Sequence, residues 1–295
     1  MDDFRERLVA LLHHSGMTWN TVLQFIKKDP SLQTAIHDEQ RFFQYNLFPP
    51  STNTIIKSSP SITSNQLQYI SQQIEEYEKN NIKVITIFDE NYPSLLKEIY
   101  QPPWVLFIKG DLTLLEKQPK LAVVGSREAT QYGKNAISVL FPPLIEKGVA
   151  IVSGLARGID TLAHECAMKN GGKTIAVIAG GLYHIYPKEN AELAKEMMKS
   201  QLVISEYPPD TKPLRWHFPA RNRIISGLSN GTFIIEAKRK SGSLITANYA
   251  VHEGREVFSL PGSIFSQHSL GTNDLIKQGA KLVMSSEDIL EELHL

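Results

Sequence analysis

Cysteine occurs once in 295 residues, at Cys166, which excludes an internal disulfide framework and a cysteine-rich zinc site. Net charge is absent as well. Its 31 Lys and Arg balance 31 Asp and Glu, so any nucleic-acid binding has to rest on a local basic patch. No apolar run approaches the ~18 residues of a bilayer-spanning helix. The start, "MDDFRERLVALLHHSG", is acidic and broken by charges, unlike a secretory signal. A cytoplasmic location with no membrane partner is expected. Nucleotide fingerprints are missing too: there is no G-x-G-x-x-G, and "GGKT" at 171–174 fails as a P-loop. Its first glycine would fall on Ala167, and it precedes a strand instead of opening a helix. His164-Glu165 and His252-Glu253 lack the second histidine of a zincin, and no G-x-S-x-G elbow appears. No catalytic residue, cofactor or metal is expected.

What is present is ordinary globular composition, 42% hydrophobic and 21% charged. Residues 1–75 read as a small polar helical domain. Phe4, Leu8, Leu11 and Leu12 share one face of a helix that stops near Gly16. Thr18 caps "WNTVLQFIKKD", Pro30 ends it, and short amphipathic pieces follow, separated by "FPPSTN" and "SSPSITSN". Acidic residues outnumber basic ones up to residue 80, which argues against this region as the main phosphate contact. From residue 76 to 295 the texture changes. "KLAVVGS", "VAIVSG", "KTIAVIAGG", "LVISEYP", "GTFIIEA" and "REVFSLPG" alternate with helical stretches such as "TLAHECAMKNG". Near-continuous apolar strands between helices indicate α/β architecture: a Rossmann-like doubly wound, mostly parallel sheet covered on both faces.

Ligands of such sheets bind beyond the carboxyl ends of the strands. Predicted strands end in Gly125-Ser126-Arg127, Ser153-Gly154, Gly180-Gly181 and Pro261-Gly262, small residues that let a backbone approach a phosphate. The stretch "HFPARNRIISG" (217–227) adds Arg221 and Arg223 at an expected helix start. It lies in a basic island with Lys212, Arg215, Lys238, Arg239 and Lys240, interleaved with Trp216, His217 and Phe218. Guanidinium forks match phosphate oxygens, and aromatic rings stack on unpaired bases. For the two arginines, phosphate contact competes with a salt bridge to Glu206 or Glu236, and one of them is expected to be partly structural. Asp160 reads as a helix N-cap, Cys166 as a core residue, and His184 as a loop residue with a structural hydrogen bond.

Several long motifs then fall together: "VVGSREATQYG", "SGLARGIDTLAH", "FPARNRIISGLS", "SGSLITA", "REVFSLPG" and "GTNDLIKQGA". In this order they resemble the DNA-processing protein A family (DprA/Smf), over roughly residues 80–285. The resemblance implies an extended Rossmann fold, sequence-independent binding of single-stranded DNA, and a homodimer. It further implies loading of the RecA recombinase on incoming strands during natural transformation, past single-strand-binding protein, without catalytic turnover. Matched by motif, the DNA-facing positions are Ser126, Arg127, Ser153, Gly154, Arg157, Gly158, Arg221, Asn222 and Arg223. Ser241, Gly242, Ser243 and Thr246 form a further turn on that rim, and Lys238 and Lys240 join them on charge alone. The first 75 residues are similar in position to the SAM-like or helix-hairpin-helix-like module of many members. The end at Leu295 leads to the expectation that the winged helix of some members is lacking. "AGGLYHIYP" departs from the family pattern, with Ala179 for a glycine and Tyr183 for an aspartate. The alternative is a nucleotide-processing enzyme of the lysine-decarboxylase-like Rossmann group. Against it, Pro261-Gly262-Ser263 stands where such enzymes carry Pro-Gly-Gly-x-Gly-Thr.

Overall fold

The apolar stripe at the N-terminus forms helix α1 (Asp3–His13) and buries Leu8 and Leu11. The computed structural model describes residues 3–14, 17–33, 64–117 and 119–295. The stop near Gly16 and most of the expected short pieces, which fall within 34–63, lie outside them. Helix α2 (Trp19–Lys28) opens on Thr18, whose Oγ1 accepts the Thr21 N–H at 3.2 Å, and closes on Asp29, just before Pro30. Helix α3 (Ser64–Lys79) buries Ile70, Ile74 and Tyr77, one stripe at helical spacing. Position 75 lies inside α3, and the chain divides into the units Met1–Asn81 and Ile82–Leu295.

In the larger unit a short antiparallel entry comes first: β1 (Lys83–Thr86), α4 (Ser94–Lys97) and β2 (Val105–Gly110). The alternating part follows with β3 (Lys120–Val124), α5 (Gln131–Glu146), β4 (Ala150–Ser153) and α6 (Ile159–Lys169). Next come β5 (Thr174–Ile178), α7 (Ala191–Ser200), β6 (Leu202–Ser205) and α8 (His217–Gly227). The chain ends with β7 (Gly231–Ile234), α9 (Gly242–His252), β8 (Glu256–Ser259), α10 (Leu270–Lys277), β9 (Lys281–Leu282) and α11 (Glu287–Glu292).

The strand order is β1-β2-β6-β5-β4-β3-β7-β8-β9. Strand β2 pairs antiparallel with β1 and β6, and the remaining pairs are parallel. The apolar runs are explained by burial on both faces: Leu121, Ala122, Val123, Ile175, Ala176 and Val177 are fully enclosed. On one face, Ile137, Leu140, Phe141 and Leu144 of α5 pack with Ile151, Phe233 and Phe258 of the sheet. From β3 the chain steps outward through β4, β5 and β6, then returns to lay β7, β8 and β9 on the other side of β3. The reversal between β3 and β7 opens a crevice at their carboxyl ends, the usual ligand position of a doubly wound sheet.

Candidate nucleic-acid interface

A cleft of about 600 Å³ occupies that crevice. Its walls are the turn after β3 (Val124 to Glu128), the Asp160 end of α6, one face of α8, and the segment from Lys238 into α9, with Tyr186 and Arg215 above.

Arg221 and Arg223 do not stand at a helix start. Helix α8 already begins at His217, so both lie past its first turn. Two residues apart on a helix means about 200° of rotation, so they meet different neighbours. Arg221 is 5% exposed, and its Nη1 donates to the Gly154 and Val177 carbonyls at 2.5 Å each, at the ends of β4 and β5. A Cβ on Gly154 would sit 2.2 Å from that nitrogen, so glycine there makes room for the guanidinium. Burial lowers the Arg221 pKa to about 10 while Asp160 pulls it back up, and the group stays cationic at neutral pH. Asp160 is no N-cap. Gly158 holds that position, and Asp160 Oδ2 accepts the Gly154 and Ala156 N–H groups at 3.1 and 3.3 Å. Burial raises the Asp160 pKa, against the pull of Arg221. Arg223 donates from Nη2 to Glu206 Oε1 at 2.5 Å, and its buried Nη1 has no protein acceptor. Of the two carboxylates open to it from sequence, Glu206 is the partner.

Other motif positions also turn inward. Ser153 is fully buried and donates from Oγ to the Val123 carbonyl at 2.6 Å. Gly158, at φ +76°, lets the β4–α6 turn pass under the β3 turn; a Cβ there would sit 2.3 Å from the Ser126 carbonyl oxygen. Arg157 is exposed, pairs with Glu189, and is absent from the cleft wall. The wall instead contains Ser126, Arg127, Arg221, Asn222, Lys238, Lys240, Ser241, Gly242, Ser243 and Thr246. Ser126 Oγ accepts the Glu128 N–H at 3.1 Å, and Lys238 pairs with Glu128 at 3.0 Å. Asn222 Nδ2 donates to the Gly242 carbonyl at 3.2 Å, tying α8 to the start of α9.

Helix α9 opens on the cleft. Ser241 is its N-cap and accepts the Ser243 N–H at 3.3 Å. Gly242 leaves the first turn unshielded, with nothing within 4 Å of where a Cβ would lie. Thr246 lines the same wall, and its buried Oγ1 has no hydrogen-bond partner. Arg127, Arg215 and Lys240 are exposed around this helix start, and among the described residues none forms an ion pair. Aromatic rings complete the wall. Tyr186 meets Phe218 edge-on at 5.5 Å, and the Arg127 guanidinium lies 5.9 Å over the Phe218 ring. Fixed N–H dipoles, free cations and exposed rings together suit an anionic chain bearing planar bases.

Sequence reasoning counted Arg215 and Phe218 in the basic island without choosing them. It missed Tyr186, which arrives from the β5–α7 loop with no spacing to betray it. Glu236, a candidate salt-bridge partner of the two arginines from sequence, instead accepts the Thr130 N–H at 2.9 Å and the Thr130 hydroxyl at 2.5 Å. Among the described residues no helix is long and apolar enough to cross a membrane, and no group of three His, Cys, Asp or Glu side chains is placed to hold a metal.

Residues 83–294 match the family model described as DNA recombination-mediator protein A. The DNA processing protein DprA of Bacillus subtilis (strain 168) is 54% identical over 217 residues, 74% of this chain and 73% of that protein. The X-ray structure of DNA processing protein A from Streptococcus pneumoniae is similar at a TM-score of 0.77 and 38% identity, covering 97% of each chain. The structure of DNA processing protein A from Helicobacter pylori, described for its single-stranded DNA binding mode, matches at a TM-score of 0.66 and 33% identity. It covers 72% of this chain and 95% of that one.

Proposed function

We infer that this chain, which belongs to the DNA recombination-mediator protein A family, binds single-stranded DNA without sequence preference in the cleft between β3 and β7. One observation carries the reading: the start of α9, the unpaired cations Arg127, Arg215 and Lys240, and the Tyr186–Phe218 rings all face one opening. Phosphates lie at the N-terminus of α9 and on the free cations, where dipole and charge attract them without reading a base. The rings supply stacking at ~1–3 kcal/mol per base, which every base can use. Arg221, Arg223, Ser153, Gly154 and Gly158 are assigned to the floor and frame of this site, and Arg157 to its margin. Ser126, Asn222, Lys238, Ser241, Gly242, Ser243 and Thr246 remain with the strand-facing wall.

The protein acts by holding and handing over the strand, with no chemical turnover. In this reading it is a cytoplasmic homodimer that passes incoming DNA to the RecA recombinase, past single-strand-binding protein, during natural transformation. Residues 1–75 are assigned to a SAM-like or helix-hairpin-helix-like module.

Fluorescence anisotropy with labelled oligonucleotides of unrelated sequence tests the binding step. Wild type is expected to bind them with affinities within about threefold of one another, and Arg127→Ala to weaken all of them alike. Strong preference for one sequence, or an Arg127→Ala variant as tight as wild type at matched salt, would sink the assignment. Stimulation of RecA filament formation on strands coated with single-strand-binding protein tests the handover.

A further inference from the structure

Helix α5 starts where a dinucleotide-binding sheet presents its phosphate site: after β3, beside the end of β7, at the reversal of strand order. The free N–H groups of such a start attract an anion. In this chain the anion is built in. Glu236, two residues beyond β7 and 2% exposed, accepts the Thr130 N–H at Oε2 (2.9 Å) and the Thr130 hydroxyl at Oε1 (2.5 Å). Thr130 is the N-cap of α5, and its Oγ1 accepts the Tyr132 N–H at 3.2 Å. In a capping box the carboxylate that reaches back to the N-cap comes from the third residue of the same helix. That residue here is Gly133, and a Cβ on it would sit 2.6 Å from Glu236 Oε2. The missing side chain makes the space into which β7 delivers the carboxylate.

Resting on the strand-binding reading, we propose that Glu236 is a specificity determinant whose negative charge stands at the phosphate position at the start of α5 and repels free nucleotides bearing a pyrophosphate. A dinucleotide or nucleoside diphosphate draws much of its affinity in such folds from that helix start. Here its phosphates would meet a buried carboxylate, and like charges brought together out of water repel strongly. The start of α9 has no such occupant, since the Ser241 hydroxyl is neutral and Gly242 is bare. A strand, held by successive phosphates along the rim, does not depend on the closed position. The device separates polymer from monomer at neighbouring positions of one strand-end rim, since neither Thr130 nor Glu236 lines the cleft assigned to the strand.

Glu236→Gln removes the charge while keeping the shape and an oxygen to accept from Thr130. Isothermal titration with ADP compares it with wild type. Wild type is expected to show no saturable binding below about millimolar ADP, and Glu236→Gln to bind ADP about tenfold tighter or more. Equal affinity of the two proteins, including none in either, would overturn the proposal. Should Glu236→Gln fail to fold, hydrogen exchange on wild type decides: millimolar inorganic pyrophosphate leaves the exchange of the Thr130 to Gly133 amides at its ligand-free rate, and slowing there overturns it. A labelled oligonucleotide titrated into wild type stands apart from both measurements. Its failure to bind sinks the strand reading, whereas the ADP comparison judges Glu236 alone.

Discussion

Arg221 and Arg127 carry the same charge toward the same cleft and are expected to fail differently when removed. Arg221 is enclosed, with two carbonyls on Nη1 and Asp160 close by. Arg221→Ala leaves the Gly154 and Val177 carbonyls buried without their donor and Asp160 without its nearby cation, a loss of roughly 2–5 kcal/mol. The midpoint of a thermal melt should fall by on the order of 10 °C. Arg127→Ala removes an exposed cation, should leave the melt within a degree or two, and should weaken oligonucleotide binding. An Arg221→Ala protein as stable as wild type would contradict its assignment to the floor. Lys120, fully buried at the first position of β3, donates from Nζ to the Leu115 carbonyl at 2.9 Å, and burial lowers its pKa to about 8. Between pH 8 and its unfolded value of about 10.5 the unfolded chain holds the extra proton, so stability should rise with pH by up to ~1.4 kcal/mol per unit. Denaturant titrations at pH 7.5 and 9 check the slope, and Lys120→Met should flatten it. Residue types at the site were legible in the sequence, but their exposure was not. Charge is written in the letters; whether two strand-end carbonyls consume it depends on contacts dozens of residues away.

The two helix starts flanking the cleft do opposite work. The start of α5 is closed by Glu236, while that of α9 is open and backed by Thr246, whose buried hydroxyl has no partner. A buried, unpaired hydroxyl that serves nothing is a cost, so replacing it by a methyl of the same shape should be neutral or stabilising. Thr246→Val is therefore expected to hold or raise the melting midpoint and to weaken oligonucleotide binding several-fold. Unchanged binding would remove Thr246 from the strand-facing wall. The parallel core could be read directly because buried strands make unbroken apolar runs between periodic helices. Other boundaries could not. Helix α8 begins at His217 after Trp216, which makes no side-chain cap hydrogen bond, and α6 begins after Gly158, which has no side chain to cap with. The antiparallel pairing of β2 with β1 and β6 is a long-range match that no local pattern encodes.

At the scale of the molecule the balanced charge matters most. With no net field, binding rests on the few rim cations, and each phosphate neutralised on a single strand contributes about 0.7 to the slope of log affinity against log salt. Family membership reached the same cleft from long motifs, yet several matched motif residues turned out to frame it rather than line it. Frame and rim thus divide the labour, buried groups holding the cleft's shape and exposed cations meeting the strand. Anisotropy titrations of a labelled oligo(dT) across a range of salt, on wild type and on Arg127→Ala/Arg215→Ala/Lys240→Ala, test this division most directly. The expected result is a triple variant that melts as wild type does, binds more weakly, and shows a salt slope shallower by about 2. A triple variant with the affinity and slope of wild type would rule out these rim cations as the strand's contacts.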